Sequence, residues 1–522
     1  MLMKWVRKYQ FVYKALSFVL QAHFYRKLVV GFRTLCLMLV VERALLVVLN
    51  LPKYCPNYGW PISMSDGSEV PVGRILSSNY KIIDVVCFMK NQNTAPEKSL
   101  SAPFVYPNMK IAFILLITCF AAWGVAANMT DPLVKVFSKI FTMSTFESAL
   151  VQFAYYGAYF CLAIPAAFIN ARYSYKAGVL TGLGLAILGA LAFYPASVSM
   201  TYGFFLAALF ILAAGLSILE TSANPFVMTM GPEGSAARRL NLAQAFNPVG
   251  TNIGVFLAAT LILPNLNTAS PEERASMAPE MLLSIRADEL NSVMTPYVGM
   301  AFVLMIIWAF IYFMRVPKSA NKVNVDEVQK IDFVATLGRL LARKQYRWGV
   351  VAQFFNVAAQ TCTWTFTIQY VQETLGGTEA SASDYLQYSL IIFLISRFVM
   401  TWLMGFFRPA VLLSILALLG TALCLYAVMV PDVTGVWAIV SISACLSLMF
   451  PTIYSIALDG LGSDTKFGSA GLVMAILGGA VMPLIQGATI DEYGAIISYV
   501  VPAACFLVVA AYGMFSVKNT SV

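Results

Sequence analysis

Glu220 is a carboxylate set inside an apolar run, in the stretch LETSANPFVMTMGPEGSAARRLNLAQAFNP. An ionisable side chain at membrane depth is costly, so by default it faces an aqueous cavity or a partner and has a task. The plainer reading is a buried ion pair with Arg397, in the later run ISRFVMTWL. Asn224, four residues on, shares the helical face of Glu220. A second acid, Asp131, closes the first apolar run in WGVAANMTD, with Asn128 and Gly124 on the same stripe. An acid there is also what an ordinary helix end at an interface looks like. Placement favours a function: Asp131 lies toward the outer end of its helix and Glu220 lies deeper. Two carboxylates at different depths can pass a proton inward. The single histidine, His23, falls in the N-terminal tail, so carboxylates must do any proton handling within the apolar runs.

Polar and aromatic residues also gather on single helical faces. Gln152, Tyr155, Tyr156 and Tyr159 follow one stripe; Gln353, Asn356, Gln360 and Trp364 follow another; Gln244, Asn247 and Thr251 form a third. Amides suit the hydroxyls of a sugar, and an aromatic ring suits its C–H face. Amides and small polar residues also hold membrane helices together, so a single stripe decides nothing. Three stripes and a carboxylate in one bundle point to a hydrophilic central cavity.

The elements that must position these residues are membrane helices. The chain has 522 residues, 59% hydrophobic and only 11% charged, where soluble chains carry about 25% charged residues. From residue 110 onward, twelve apolar runs are long enough to cross a bilayer: 110–130, 146–170, 176–195, 201–230, 237–263, 293–315, 347–371, 385–406, 409–429, 433–457, 466–488 and 495–516. The expected architecture is all-α, twelve spans in two six-helix halves, 110–315 and 347–516, with a short tail at 517–522. The segment 316–346 between them is rich in Lys and Arg, which places it in the cytoplasm, and Arg172, Lys176, Arg238, Arg239, Arg408 and Lys466 fall on the same side. Lys135 and Lys139 are the main exceptions. Both termini are therefore expected in the cytoplasm. Trp123 and Trp364 in the first span of each half, and Pro225 and Pro451 late in the fourth, hint at an internal repeat.

Residues 1–88 differ. They carry +7 of the total net charge of +9, so the basic balance is no nucleic-acid signal. Their one apolar run is broken by Arg33, Glu42 and Arg43. The expectation is an atypical extension with translation starting at Met89, followed by a cytoplasmic leader over 89–109. Six of the nine cysteines fall singly in apolar runs without CxxC spacing, so neither disulfides nor a metal site is expected. Glycine-rich stretches such as TGLGLAILGALA serve close helix packing, and no GxxxxGK[ST] occurs. A membrane-embedded enzyme would need a nucleophile–base pair or a metal cluster, and a channel would need rings of charge or carbonyls. The runs offer neither.

The motifs LETSANPF, RRLNLAQAFNPVGTNIG, FAYYGAYFCLAIPAAF with YSYKAGVLTGL, and FPTIYSIALDGLGSDTKFGSAGLVMAILGGAVMP resemble the L-fucose:proton symporter family of the major facilitator superfamily across residues 108–516. The resemblance implies a monomeric transporter of the bacterial inner membrane that takes up a monosaccharide, L-fucose or a related hexose, with protons by alternating access. It implies no cofactor beyond the co-transported proton, and no partner beyond the sugar and the bilayer. It makes Asp131 the proton-coupling acid and Glu220 the acid linking sugar recognition to protonation, with Asn128, Gln244 and Asn247 as cavity amides. Asn356 stands where a bulkier tyrosine is expected, and Pro248 and Asn252 alter the fifth span. Glucose or galactose, carried by other members, is the alternative substrate.

Overall fold

The computed structural model describes residues 103–141, 145–265, 267, 271–315 and 332–519, all within the compact unit Lys98–Val522. Side chains at 129–141, 145–153, 259, 263, 271, 272, 275 and 380 are outside this description. So are the extension expected over 1–88 and all but the end of the leader. The described chain is helical throughout. The first half holds α1 (Lys110–Phe141), α2 (Thr145–Arg172), α3 (Tyr175–Ser199), α4 (Tyr202–Thr229), α5 (Ala236–Gln244), α6 (Phe246–Leu257), the short α7 (Pro271–Ser276) and α8 (Pro279–Phe313). A helix of the central segment, α9 (Phe333–Ala342), leads into the second half. That half holds α10 (Lys344–Leu375), α11 (Glu379–Leu403), α12 (Pro409–Met429), α13 (Val433–Leu446), α14 (Met449–Leu458), α15 (Thr465–Met474), α16 (Gly478–Ser498) and α17 (Val500–Asn519).

Every expected span is found, several with different limits. The helix expected to close at Asp131 runs on through Pro132 to Phe141, and α8 begins at Pro279 rather than 293. The fifth and tenth spans are each two helices, α5–α6 and α13–α14, and the eleventh is α15–α16 joined by a tight turn at Ala475–Leu477. Among the described residues, eleven helical stretches are long and apolar enough to cross a membrane. The seventh span is not among them. At 32 residues α10 is long enough, but Gln353, Asn356, Gln360 and a series of threonines make it too polar for hydropathy to find.

Glycine lets the backbones within each half touch. On α3, a Cβ at Gly182 would lie 2.5 Å from Leu219 N of α4, and at Gly189 2.3 Å from Leu212 N. Where α1 crosses α6 the approach is closer still: a Cβ at Gly250 would lie 1.9 Å from Ala121 O, and at Gly124 2.1 Å from Asn247 O. Small residues at such crossings let packing and short polar contacts replace the hydrophobic effect, which does not operate between helices in lipid.

Helix ends and loops are held by side chains. Lys176 Nζ donates to Tyr312 O and Met314 O at the C-terminus of α8, and Asp432 caps α13 through Thr434 N and Gly435 N. Arg274 of α7 and Glu289 of α8 form a buried ion pair. The short α9 packs under the bundle. Its Phe333 ring meets Phe168 of α2 at 5.7 Å and Phe467 of α15 at 5.7 Å, while Arg339 forms two hydrogen bonds to the Asp464 carboxylate.

Candidate functional site

The prolines of the broken spans create the local chemistry. A proline has no N–H for the carbonyl four residues back. Pro225 therefore releases Thr221 O, which Asn170 Nδ2 of α2 approaches at 3.4 Å. Pro248 releases Gln244 O at the α5–α6 break, and Pro451 releases Ser447 O at the α13–α14 break. One side chain serves both: Arg397 of α11 donates from Nη1 to Gln244 O at 3.0 Å and from Nε to Ser447 O at 2.7 Å. The guanidinium is 4% exposed and lies 4.7 Å from the Phe393 ring centroid. No ion pair joins it to Glu220, so the plainer reading of that acid is corrected. Two free backbone dipoles and an aromatic face occupy the cation instead.

Glu220 itself is 1% exposed on α4, and neither carboxylate oxygen has a hydrogen-bond partner. Asn224, one turn on, is close enough to act on the carboxylate, although Asn224 Nδ2 forms no bond of normal length. Asn224 Oδ1 accepts from Gln244 Nε2 at 2.8 Å. Two phenols are within electrostatic reach of the acid: Tyr159 of α2 and Tyr454 of α14, the latter from the other half. Tyr454 is buried with no partner for its hydroxyl, and the sequence reading missed it. Its signal was its place in FPTIYS, one turn beyond the proline.

The remaining stripe residues sit among separate contacts. Tyr159 accepts from Trp123 Nε1 at 2.9 Å and stacks obliquely with Tyr155, centroids 5.1 Å apart. Asn128 Nδ2 donates to Thr251 Oγ1 at 2.9 Å, and Asn247 Nδ2 reaches Phe120 O at 3.5 Å. Both amides thus sit at the glycine-lined crossing of α1 and α6. On α10, Gln353 and Asn356 are fully buried, and none of their four amide atoms has a partner. Gln360 is half-buried on the same helix. Trp364 turns to its own half: its Nε1 donates to Ser443 Oγ at 2.9 Å and its ring meets Phe393 edge-on at 5.0 Å. The side chains of Asp131 and Gln152 are outside the described residues, and their backbones belong to α1 and α2. Tyr156, not counted as a site residue, lies at the seam: a Cβ on Gly479 of α16 would be 3.2 Å from its hydroxyl and 2.8 Å from Thr361 Oγ1.

A line of contacts therefore crosses between the halves, from Trp364 through Phe393 and Arg397 to Gln244 and Asn224, with Glu220 one turn from Asn224. Further bonds cross nearby. Asn241 Nδ2 donates to Thr452 Oγ1 at 3.2 Å, Arg238 Nε to Thr401 O at 3.3 Å, and Phe246 meets Phe398 edge-on at 5.6 Å. All lie toward the end of the bundle that carries Arg238, Arg239 and Arg408. A cavity of about 580 Å³ opens elsewhere, between α1, α6 and α8. Its walls are mainly apolar, including Val125, Leu257, Met300 and Leu304, and that surface suits an acyl chain better than a sugar. Among the described residues no cluster of His, Cys, Asp and Glu could hold a metal ion.

The Major Facilitator Superfamily model matches residues 111–476. An L-fucose-proton symporter of Haemophilus influenzae is 40% identical over 428 residues, covering 80% of this chain and 97% of the relative. A glucose/galactose transporter of Brucella abortus is 31% identical over 417 residues, covering 79% of this chain and 95% of that protein. The crystal structure of a major facilitator transporter, FucP, in the outward conformation aligns with a TM-score of 0.73 at 39% identity, over 78% of this chain and 99% of that one.

Proposed function

The chain belongs to the major facilitator superfamily, and on that premise we propose that it is a proton-coupled importer of a monosaccharide, L-fucose or a related hexose. It is a membrane-embedded transporter, not an enzyme, and in this reading the co-transported proton is its only co-substrate. The observation that carries the proposal is Glu220: a carboxylate buried at the junction of two helical halves, without a hydrogen-bond partner and one turn from Asn224, which bonds to Gln244. A group so placed changes its interactions sharply between its charged and neutral forms, which is what coupling requires. The four unpartnered amide atoms of Gln353 and Asn356 offer donors and acceptors of the kind sugar hydroxyls need. Relatives named as L-fucose-proton symporters support the substrate. In this proposal the protein works as a monomer in a bacterial inner membrane with both termini in the cytoplasm, and Asp131 receives the proton from outside before Glu220.

The test is uptake of labelled L-fucose, galactose and glucose into cells expressing residues 89–522, with and without a protonophore, for the wild type and Asp131→Asn. Fucose accumulation abolished by both treatments is the expected result. Accumulation of glucose or galactose, as the Brucella relative's name suggests, would keep the mechanism and change the cargo. Absence of uptake for all three sugars would overturn the reading.

A further inference from the structure

We propose that Arg397 is a positioning residue that latches the inner seam of the two halves by joining two carbonyls released by proline, one in each half. This goes beyond the transport reading but rests on it, since a latch needs two alternating states.

Gln244 O belongs to α5 in the first half and Ser447 O to the α13–α14 break in the second. Each lies four residues before a proline, Pro248 and Pro451, so neither can accept the usual α-helical bond from its own helix. An unsatisfied buried carbonyl is costly, and two of them facing one fork of N–H donors form a site that only a guanidinium fits. Arg397 meets both, at 3.0 Å and 2.7 Å, and Phe393 covers its face. No carboxylate neutralises it among the described residues, so its binding is to backbone dipoles alone. That geometry exists only while α5 and the α13–α14 break lie side by side. Separation of the halves at this end removes Gln244 O from reach while Ser447 O, on the same half as Arg397, stays. The bond to Gln244 O is therefore the one made and broken in each cycle. On the same helix, the partly exposed Ala237 packs against the core of the second half and becomes more accessible when the seam parts. Pro248 is the second component: an alanine there supplies the missing N–H, which competes with Arg397 for Gln244 O.

The experiment uses the full chain in inside-out vesicles with a cysteine reporter, Ala237→Cys, and a membrane-impermeant thiol reagent, with labelling of the parent protein subtracted. The expected result is labelling several-fold faster in Arg397→Gln, since loss of a hydrogen bond from a charged donor shifts an equilibrium by about tenfold. Pro248→Ala should fall between wild type and Arg397→Gln. The double variant should label no faster than Arg397→Gln alone, because both changes act on one bond. A general loosening of the fold would instead make the two effects add. Unchanged labelling in Arg397→Gln, or additive effects, would overturn the latch. If Arg397→Gln does not fold, Pro248→Ala labelling at the wild-type rate overturns it alone. The readout is accessibility and not sugar uptake, so a wrong substrate leaves this test intact.

Discussion

Glu220 and Arg397 are both buried at the seam, and they do not pair. Arg397 is held by backbone carbonyls, which leaves the Glu220 carboxylate free to respond to a proton and to the amides around it. Neutralising it should therefore separate binding from coupling. In proteoliposomes, Glu220→Gln is expected to retain exchange of labelled sugar across the membrane while losing accumulation driven by a proton gradient. Equal loss of exchange and accumulation would mean that the acid serves binding alone. The acid, Asn224, Gln244 and the Tyr155–Tyr159 pair were legible in sequence because helical spacing places them on shared faces. Tyr454 and the role of Arg397 were not, since each acts across a contact between helices far apart in the chain.

At the scale of elements, glycine and capping residues decide how closely helices approach and where they stop. At Gly250 an alanine Cβ would fall 1.9 Å from Ala121 O, so α1 and α6 must separate. Gly250→Ala is expected to destabilise the protein by about 3 kcal/mol and to weaken sugar uptake, because Asn128 and Thr251 bond across that crossing. Thermal unfolding in detergent, alongside uptake, checks both effects. Asp432 shows the other device. Its carboxyl is held below the usual carboxylate range, first by the Thr434 hydroxyl, against a small burial effect, and then by the N–H groups of Gly435 and Thr434. A depressed folded value means that this cap stabilises the protein above the unfolded value of about 4 and fades as pH falls through the folded one. Asp432→Ala should cost about 1 kcal/mol at neutral pH. Its melting temperature should then converge on that of the wild type in strong acid; a difference that persisted there would deny the carboxylate its role. The mutual dependence of α5–α6 and α13–α14 lies at this scale too: the prolines were visible in sequence, whereas the side chain that serves both breaks was not.

For the whole molecule, the hydrogen bonds that cross between the halves among the described residues gather at one end. Asn241 to Thr452, Arg238 to Thr401 and Arg397 to Gln244 hold the end that carries the positive loops. A transporter that alternates must release them. Replacing Asn241 and Thr452 together by cysteine should therefore allow an oxidant to close the seam covalently. Transport should stop on oxidation and return on reduction; transport unaffected by a demonstrated cross-link would mean that this end does not open.

Sequence alone was sufficient for the class of molecule, the twelve spans, their division into halves and the acid at the centre. These follow from local quantities: the length of apolar runs, the sign of loop charge, and the cost of a carboxylate among apolar residues. The polar seventh span was also counted among the twelve from the sequence, at 347–371. The extent of α1 past Asp131, the breaks at Ala245 and Ser447, and the partners of Arg397 needed the tertiary structure. Each depends on what lies opposite: a proline's released carbonyl is only a vacancy along its own helix, and which distant side chain fills it is decided when the halves pack together.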